Sequence, residues 1–299
     1  MIKILTKART LIIACTATII LIASRMFVLL YGTDHSTGLF SPEGDIYNIV
    51  FYILLALSAA AIIASSVADN RGLGKKCEVE IKNSKLTVIG ATMIAVGAVE
   101  ALAVMNEFAK GLNVFSVFII AGCIAFVAGG IMIASGKELK PVYSVPALVV
   151  LISYLAQAIR FFLENPLISK IPQKLMMMAF LVSAAYFWLF FGRIISGDKR
   201  TSTKLLAVAT GYFSSVCTVS FIASTYILLV IDSEKWMRLT CIPGIVLIPA
   251  AIAPAIIATI ITSSVQKASN PTEVEETTSE NAQQEETEET AFVNKSRDE

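Results

Sequence analysis

The sequence predicts an all-α, polytopic integral membrane protein: a bundle of about eight transmembrane helices with both termini on the cytoplasmic side. Three observations predict it. The 299 residues are 56% hydrophobic and only 16% charged, whereas soluble domains carry roughly 25% charge. The apolar residues fall in runs of about 20, the length of helix that crosses a hydrocarbon core roughly 30 Å thick. Short charged segments separate these runs, and their lysines and arginines are shared unequally between the two sides.

Residues 1–10 form a basic cytoplasmic start with Lys3, Lys7 and Arg9 and no acid. The first span is Leu11–Tyr31. A cleaved signal peptide competes with it, since a basic start and an apolar run precede Ala23-Ser24. The apolar run resumes after Arg25 as MFVLLY, so the whole segment is long enough to cross. An acidic, turn-rich loop follows, and then span 2, Ile46–Ala68. The loop to Lys85 carries Arg71, Lys75, Lys76, Lys82 and Lys85. The later spans are Leu86–Asn106, Val114–Ser135, Val142–Leu163, Leu175–Ile195, Leu205–Ile231 and Cys241–Thr262. Residues 11–262 are thus one transmembrane domain, and residues 263–299 a tail.

With the N-terminus inside, the cytoplasmic segments hold 17 lysines and arginines and the outer loops 5, as the positive-inside rule requires. The net charge of +1 conceals a division. Residues 1–267 hold 22 basic and 13 acidic residues, and residues 268–299 hold 2 and 10. The tail is rich in Glu, Thr and Gln and poor in large apolar residues, so disorder is expected there. It reads as a solubilising terminus or as a docking segment for a protein partner.

Ala60-xxx-Ala64-xxx-Ala68 in span 2 and Ala121-xxx-Ala125-xxx-Gly129 in span 4 have the small-residue spacing that lets helices approach in lipid. Ser214, Ser215, Thr218 and Thr225 in span 7 are candidates for interhelical hydrogen bonds. Pro243, Pro249 and Pro254 in span 8 predict a bent or broken helix, because proline removes a backbone donor and clashes with the preceding turn.

Span 5 carries a polar stripe. Ser153, Gln157, Arg160 and Glu164 are spaced i, i+4, i+7, i+11 and fall within roughly a 60° arc at about 100° per residue. Charged side chains within a span tend to face protein or water rather than lipid. Arg25 in span 1, Glu100 in span 3 and Arg160 in span 5 all lie on helices running outward, roughly 6–9 Å below the outer surface at 1.5 Å per residue. Together with Ser153, Gln157 and Glu164 they form the candidate site: an outward-facing polar cavity for a small polar or anionic ligand, with Glu100 placed to neutralise an arginine. The structural alternatives are arginines that snorkel to the interface, or a buried ion pair that orients helices.

Other chemistry finds little footing. Cys15, Cys77, Cys123, Cys217 and Cys241 include no CxxC pair. The only histidine, His35, lies in the first outer loop near Asp34, Glu43 and Asp45, where no spacing matches a metal site. Catalytic residues, metals and cofactors are therefore not expected, because the spans lack paired acids, a Ser–His pair and metal ligands. RGLGKK, residues 71–76, lacks the GxxxxGK[ST] spacing of a phosphate loop and suits anionic headgroups. The expected partners are the lipid bilayer, a small polar ligand and a protein reached through the acidic tail. No nucleic acid is expected.

DHSTGLF (34–40) after a first span, IRFFLENP (159–166) and WLFFGRIISG (188–197) together resemble multi-spanning membrane proteins of anaerobic Firmicutes, clostridia above all. The resemblance covers the layout of most of residues 1–200. It implies a bacterial cytoplasmic membrane, carries no activity with it, and directs attention to Thr37, Gly38, Arg160 and Arg193.

Overall fold

The computed structural model describes residues 9–32, 45–70, 77–79, 81–108, 114–136, 140–164, 171–231 and 247–267. The loop with Asp34, His35, Thr37, Gly38 and Glu43, the RGLGKK segment, Pro243 and the acidic tail lie outside these residues. The helices are α1 (Arg9–Tyr31), α2 (Asp45–Asp69), α3 (Asn83–Phe108), α4 (Val114–Ser135), α5 (Ser144–Glu164), α6 (Ile171–Ile195), α7 (Thr201–Ile231) and α8 (Leu247–Ser264). A single 3₁₀ turn, Pro141–Tyr143, leads into α5. Two three-residue strands, β1 (Cys77–Val79) and β2 (Val265–Lys267), pair antiparallel, with Glu78 opposite Gln266.

Seven helices, α1 to α7, are long and apolar enough to cross a membrane; α8 is a shorter apolar helix. The molecule is therefore a multi-pass membrane bundle, and its surface agrees. Large apolar side chains face outward along most helices, among them Ile19, Leu57, Val117 and Ile124. Several polar side chains face inward, including Asn48, Ser116 and Thr218. Water would oppose that arrangement and lipid permits it.

The order of packing explains the burial pattern. α3 to α7 pack each on the next in chain order. α1 lies against α2 and α7, and α8 lies against α7 and α3. α7 is thus the hub, in contact with α1, α2, α6 and α8. Ser214, Ser215, Thr218, Ser220, Ser224 and Thr225 are all buried on it. Half of these six hydroxyls return to their own helix: Thr218 donates to the Ser214 carbonyl and Ser224 to the Ser220 carbonyl, each at 2.8 Å, and Thr225 to the Phe221 carbonyl at 2.9 Å. Two reach other helices. Ser220 donates to the Thr18 carbonyl of α1 at 3.3 Å, and Ser215 accepts from the Ala255 N–H of α8 at 3.1 Å. Of the four expected cross-links, then, only the one at Ser215 is interhelical in this way, and Ser220 supplies one the sequence did not announce. Among the described residues the Ser214 hydroxyl has no hydrogen-bond partner.

One expectation about helix contacts needs correction. Ala60 and Ala64 are exposed, because α2 packs through Phe51, Leu55, Ser58, Ile62, Ser65 and Ser66 instead. α3 and α4 approach closely at glycines outside the predicted small-residue frames. A Cβ on Gly130 would lie 2.7 Å from the Gly90 carbonyl oxygen, and one on Gly97 would lie 2.8 Å from the Phe126 Cβ. Gly129 faces the other way, onto Pro146 of α5. Span 8 was expected to bend or break at its prolines, and at Pro254 it does not break. α8 runs through it, and Ser215 serves as acceptor for the neighbouring Ala255 N–H.

One end of the bundle is laced together. Asp69, at the end of α2, accepts from the Thr10 backbone N–H at 3.2 Å and from its hydroxyl at 2.7 Å. Lys85 donates to the hydroxyls of Ser263 and Ser264 at 2.8 and 3.0 Å. β1 joins the α2–α3 connection to β2 just beyond α8. Cys77 of β1 donates its backbone N–H to the Lys199 carbonyl at 2.9 Å. Lys204 of α7 donates to the Cys77 carbonyl and lies 3.0 Å from its Sγ. Counted in the sequence as a loop cation, Lys204 is 2% exposed. Its stem threads between α7 and β1, so its role is to join elements rather than to touch headgroups.

The turn at residues 195–201 has its own logic. The Gly197 N–H bonds to the Ile194 carbonyl and the Asp198 N–H to the Arg193 carbonyl, each at 3.0 Å. This pair of bonds is the Schellman closure, and it places Gly197 at φ 90°, where a Cβ is penalised. Asp198 then accepts from the Arg200 N–H at 3.0 Å and the Thr203 hydroxyl at 2.8 Å, opening α7. Burial works to raise the Asp198 carboxyl. The bonds from Arg200 and Thr203, with the Arg200 and Arg193 charges, outweigh burial and hold it below the usual Asp value.

Two outcomes are expected. Gly130→Leu should lower the thermal midpoint in detergent, with a loss of about 1–3 kcal/mol or more from overpacking, while Ile131→Leu, on the exposed face, leaves it unchanged. Asp198→Ala should cost about 1 kcal/mol at neutral pH, the net worth of such bonds. Because the folded value is lowered, the wild-type advantage is complete above the ordinary Asp range and vanishes as pH falls through the folded value. Unfolding curves of the two proteins should converge in acid.

Candidate functional site

The candidate residues divide between two seams of the bundle. Arg25 is 1% exposed on α1, with its guanidinium carbon 4.5 Å from the centre of the Phe221 ring on α7. That is cation–π geometry. Glu100 lies on α3 and is also buried. Its Oε1 accepts a hydrogen bond from the Tyr154 hydroxyl of α5 at 3.1 Å. The partner expected for Glu100 was an arginine; the structure supplies a tyrosine. The reason is the packing order, in which α1 sits on α2 and α7 while α3 faces α4 and α8. The observed end of α3 at Phe108 also places Glu100 about 12 Å along the helix from that end, at 1.5 Å per residue.

The stripe on α5 is only partly gathered. Ser153 is 1% exposed and sits against Gly122 of α4, leaving no room there for a Cβ. The Gln157 amide donates to the Ser153 hydroxyl at 3.4 Å, one helical turn on. Gln157 and Arg160 are half-buried. The Glu164 side chain lies outside the described residues. Arg193, singled out by the resemblance, is exposed at the last turn of α6, 5.9 Å from the Phe190 ring centre.

The tyrosine that holds Glu100 is packed among other rings. Tyr154 meets Phe126 and Phe180 edge-on at 6.2 and 5.9 Å, and Phe126 meets Trp188 edge-on at 5.0 Å. Cys123 of α4 lies close enough to sense the carboxylate's charge. Two polar atoms in this region, Glu100 Oε2 and Trp188 Nε1, are buried without a hydrogen-bond partner among the described residues. Buried polar atoms are nearly always paired, so these two mark the region as unusual. Among the described residues no group of three or more His, Cys, Asp or Glu is placed to hold a metal.

An open groove of about 640 Å³ lies elsewhere, between α1 and α2, lined by Ile20, Phe27, Tyr47 and Leu54 among others. It is almost wholly apolar, and none of Arg25, Glu100, Ser153, Gln157, Arg160 and Glu164 lines it.

Sequence reasoning missed Tyr154. It lies one position off the polar stripe and reads there as an apolar ring. The usable signal was its hydroxyl in an otherwise apolar stretch of the span. No protein-family model, curated protein or solved structure matches the chain significantly.

Tyr154→Phe isolates the buried hydrogen bond. It should cost about 1–3 kcal/mol of stability, because Glu100 Oε1 then loses its donor in a dry site. Tyr186→Phe, on an exposed ring, is the control and should cost nothing measurable in the same detergent melt.

Proposed function

We propose that this chain is a bacterial cytoplasmic-membrane protein of eight crossings, with both termini inside, that binds or moves a small polar solute along the polar seam that Glu100 of α3 shares with Tyr154, Ser153 and Gln157 of α5. The observation that carries the reading is Glu100: a carboxylate within a span, buried, with one oxygen on Tyr154 and the other unpartnered among the described residues. Ionisable groups inside membrane spans are costly and mark solute or ion pathways by default. Ser153 and Gln157 extend the polar line toward the half-buried Arg160, which gives the seam a mouth at the outer end. The orientation rests on the 17 to 5 division of basic residues. The eighth crossing rests on the laced end, where the start of α1 and the end of α8 meet the same connection. No catalytic step is assigned to the site.

A second reading is an accessory protein whose polar contacts only orient helices and whose acidic tail docks a partner. The separation of Arg25 from Glu100 favours it, since isolated polar contacts in two seams also serve to fix helix register.

Accessibility separates the two. Gln157→Cys, in a background without the native cysteines, should react rapidly with a membrane-impermeant maleimide added outside intact cells. A folded Gln157→Cys protein that stays unlabelled would remove the solute pathway and leave the accessory reading.

A further inference from the structure

We infer that Glu100 is a proton-binding site, taking up and releasing a proton at Oε2 during the working cycle. The inference deepens the solute-pathway reading and rests on it for its purpose: the proton would be the coupling ion. The argument starts from what the site can accept. Oε2 is buried and has no hydrogen-bond partner among the described residues, while Oε1 is engaged by the Tyr154 hydroxyl at 3.1 Å. A cation such as calcium needs six to eight oxygen ligands. Here the described residues offer Oε2 no oxygen ligand, and the tyrosine on Oε1 is itself packed edge-on against the Phe126 and Phe180 rings. A proton needs no further ligand and no cavity, and it cancels a charge that a dry environment penalises.

The titratable groups facing Glu100 are few. α4 contributes Cys123 and α5 contributes Tyr154. α8, which also packs on α3, has no titratable residue between Leu247 and Ser264. On α3 itself the other charged positions are Glu107, two turns on, and Lys85, fifteen residues back at the laced end, where it is held by Ser263 and Ser264; α5 carries Arg160 six residues beyond Tyr154. Among the described residues the hydrogen-bond partner of Glu100 is the Tyr154 hydroxyl, and no positively charged side chain takes up Oε2 in place of a proton. A proton is therefore the mobile charge that balances it. Tyr154 keeps the same hydrogen bond in both states, donating to Oε1 whether Oε2 carries the proton or not. The group can thus load and unload without rearranging its neighbours.

Infrared difference spectroscopy on the full chain in lipid vesicles tests this directly. Stepping the bulk pH from acid to alkaline should show a protonated-carboxyl C=O band that disappears on the alkaline side and shifts in heavy water. The band should be lost in Glu100→Gln. It should persist at higher frequency in Tyr154→Phe, where the hydrogen bond to the carbonyl oxygen is gone, and this assigns it even if Glu100→Gln does not fold. Spectra in which no band responds to either variant, or in which the band neither titrates nor exchanges, overturn the inference. The outcome is separate from thiol labelling. A seam that labels at Gln157→Cys without a titrating Glu100 keeps the solute and loses the proton.

Discussion

The structure depends on α7 being slim. In hydrocarbon no water is present to favour the burial of apolar side chains, so helices associate through close contact and a few hydrogen bonds. α7 meets four neighbours at once, which a face of leucines would keep apart. Its buried face is instead built largely of Ser, Thr, Ala and Gly, with Gly211 set against the Pro254 carbonyl of α8. Half of the hydroxyls add polarity only locally, since Thr218, Ser224 and Thr225 bond back to carbonyls on the preceding turn of the same helix. The result is a narrow post with a nearly neutral surface, against which α1, α2, α6 and α8 can all lie.

Along the first seven helices the ends follow the apolar runs closely. Span 4 was expected at Val114–Ser135, and α4 has those limits. Length and hydropathy are enough for this, because lipid thickness sets both. Which face of each helix turns inward was much less legible. A water-soluble helix shows its buried side by contrast with a polar one, but here lipid and core are both apolar and the contrast fades. That is why Ala60 and Ala64 matched a packing motif and yet face outward, while Gly90 and Gly97, where α3 comes close to α4, went unread. Lys204 was hidden for a related reason. A lysine at a span's end normally reaches for headgroups, and only the tertiary position of β1 draws this one inward.

The candidate site was legible as residues and not as an assembly. Ionisable residues within spans stand out in any hydropathy profile, so Arg25, Glu100 and Arg160 were visible at once. Their partners depend on helix order around the bundle, which shared depth along the chain does not contain. The structure sets Arg25 on Phe221 and Glu100 on Tyr154, two aromatic partners in two seams. Ser153 and Gln157 did come together as the stripe implied, because one turn of one helix fixes them.

The clasp of β1 and β2 has a mechanical consequence. With the Thr10–Asp69 and Lys85–Ser263 bonds and the grip of Lys204 on Cys77, it ties the ends of α1, α2, α3, α7 and α8 at one pole. A sheaf bound at one end behaves as a set of levers with a common fulcrum. Displacement is smallest at the binding and grows with distance along each rod. Any working motion of this protein therefore has its amplitude at the opposite pole, where α1, α3 and α5 end and where the half-buried Gln157 and Arg160 look out.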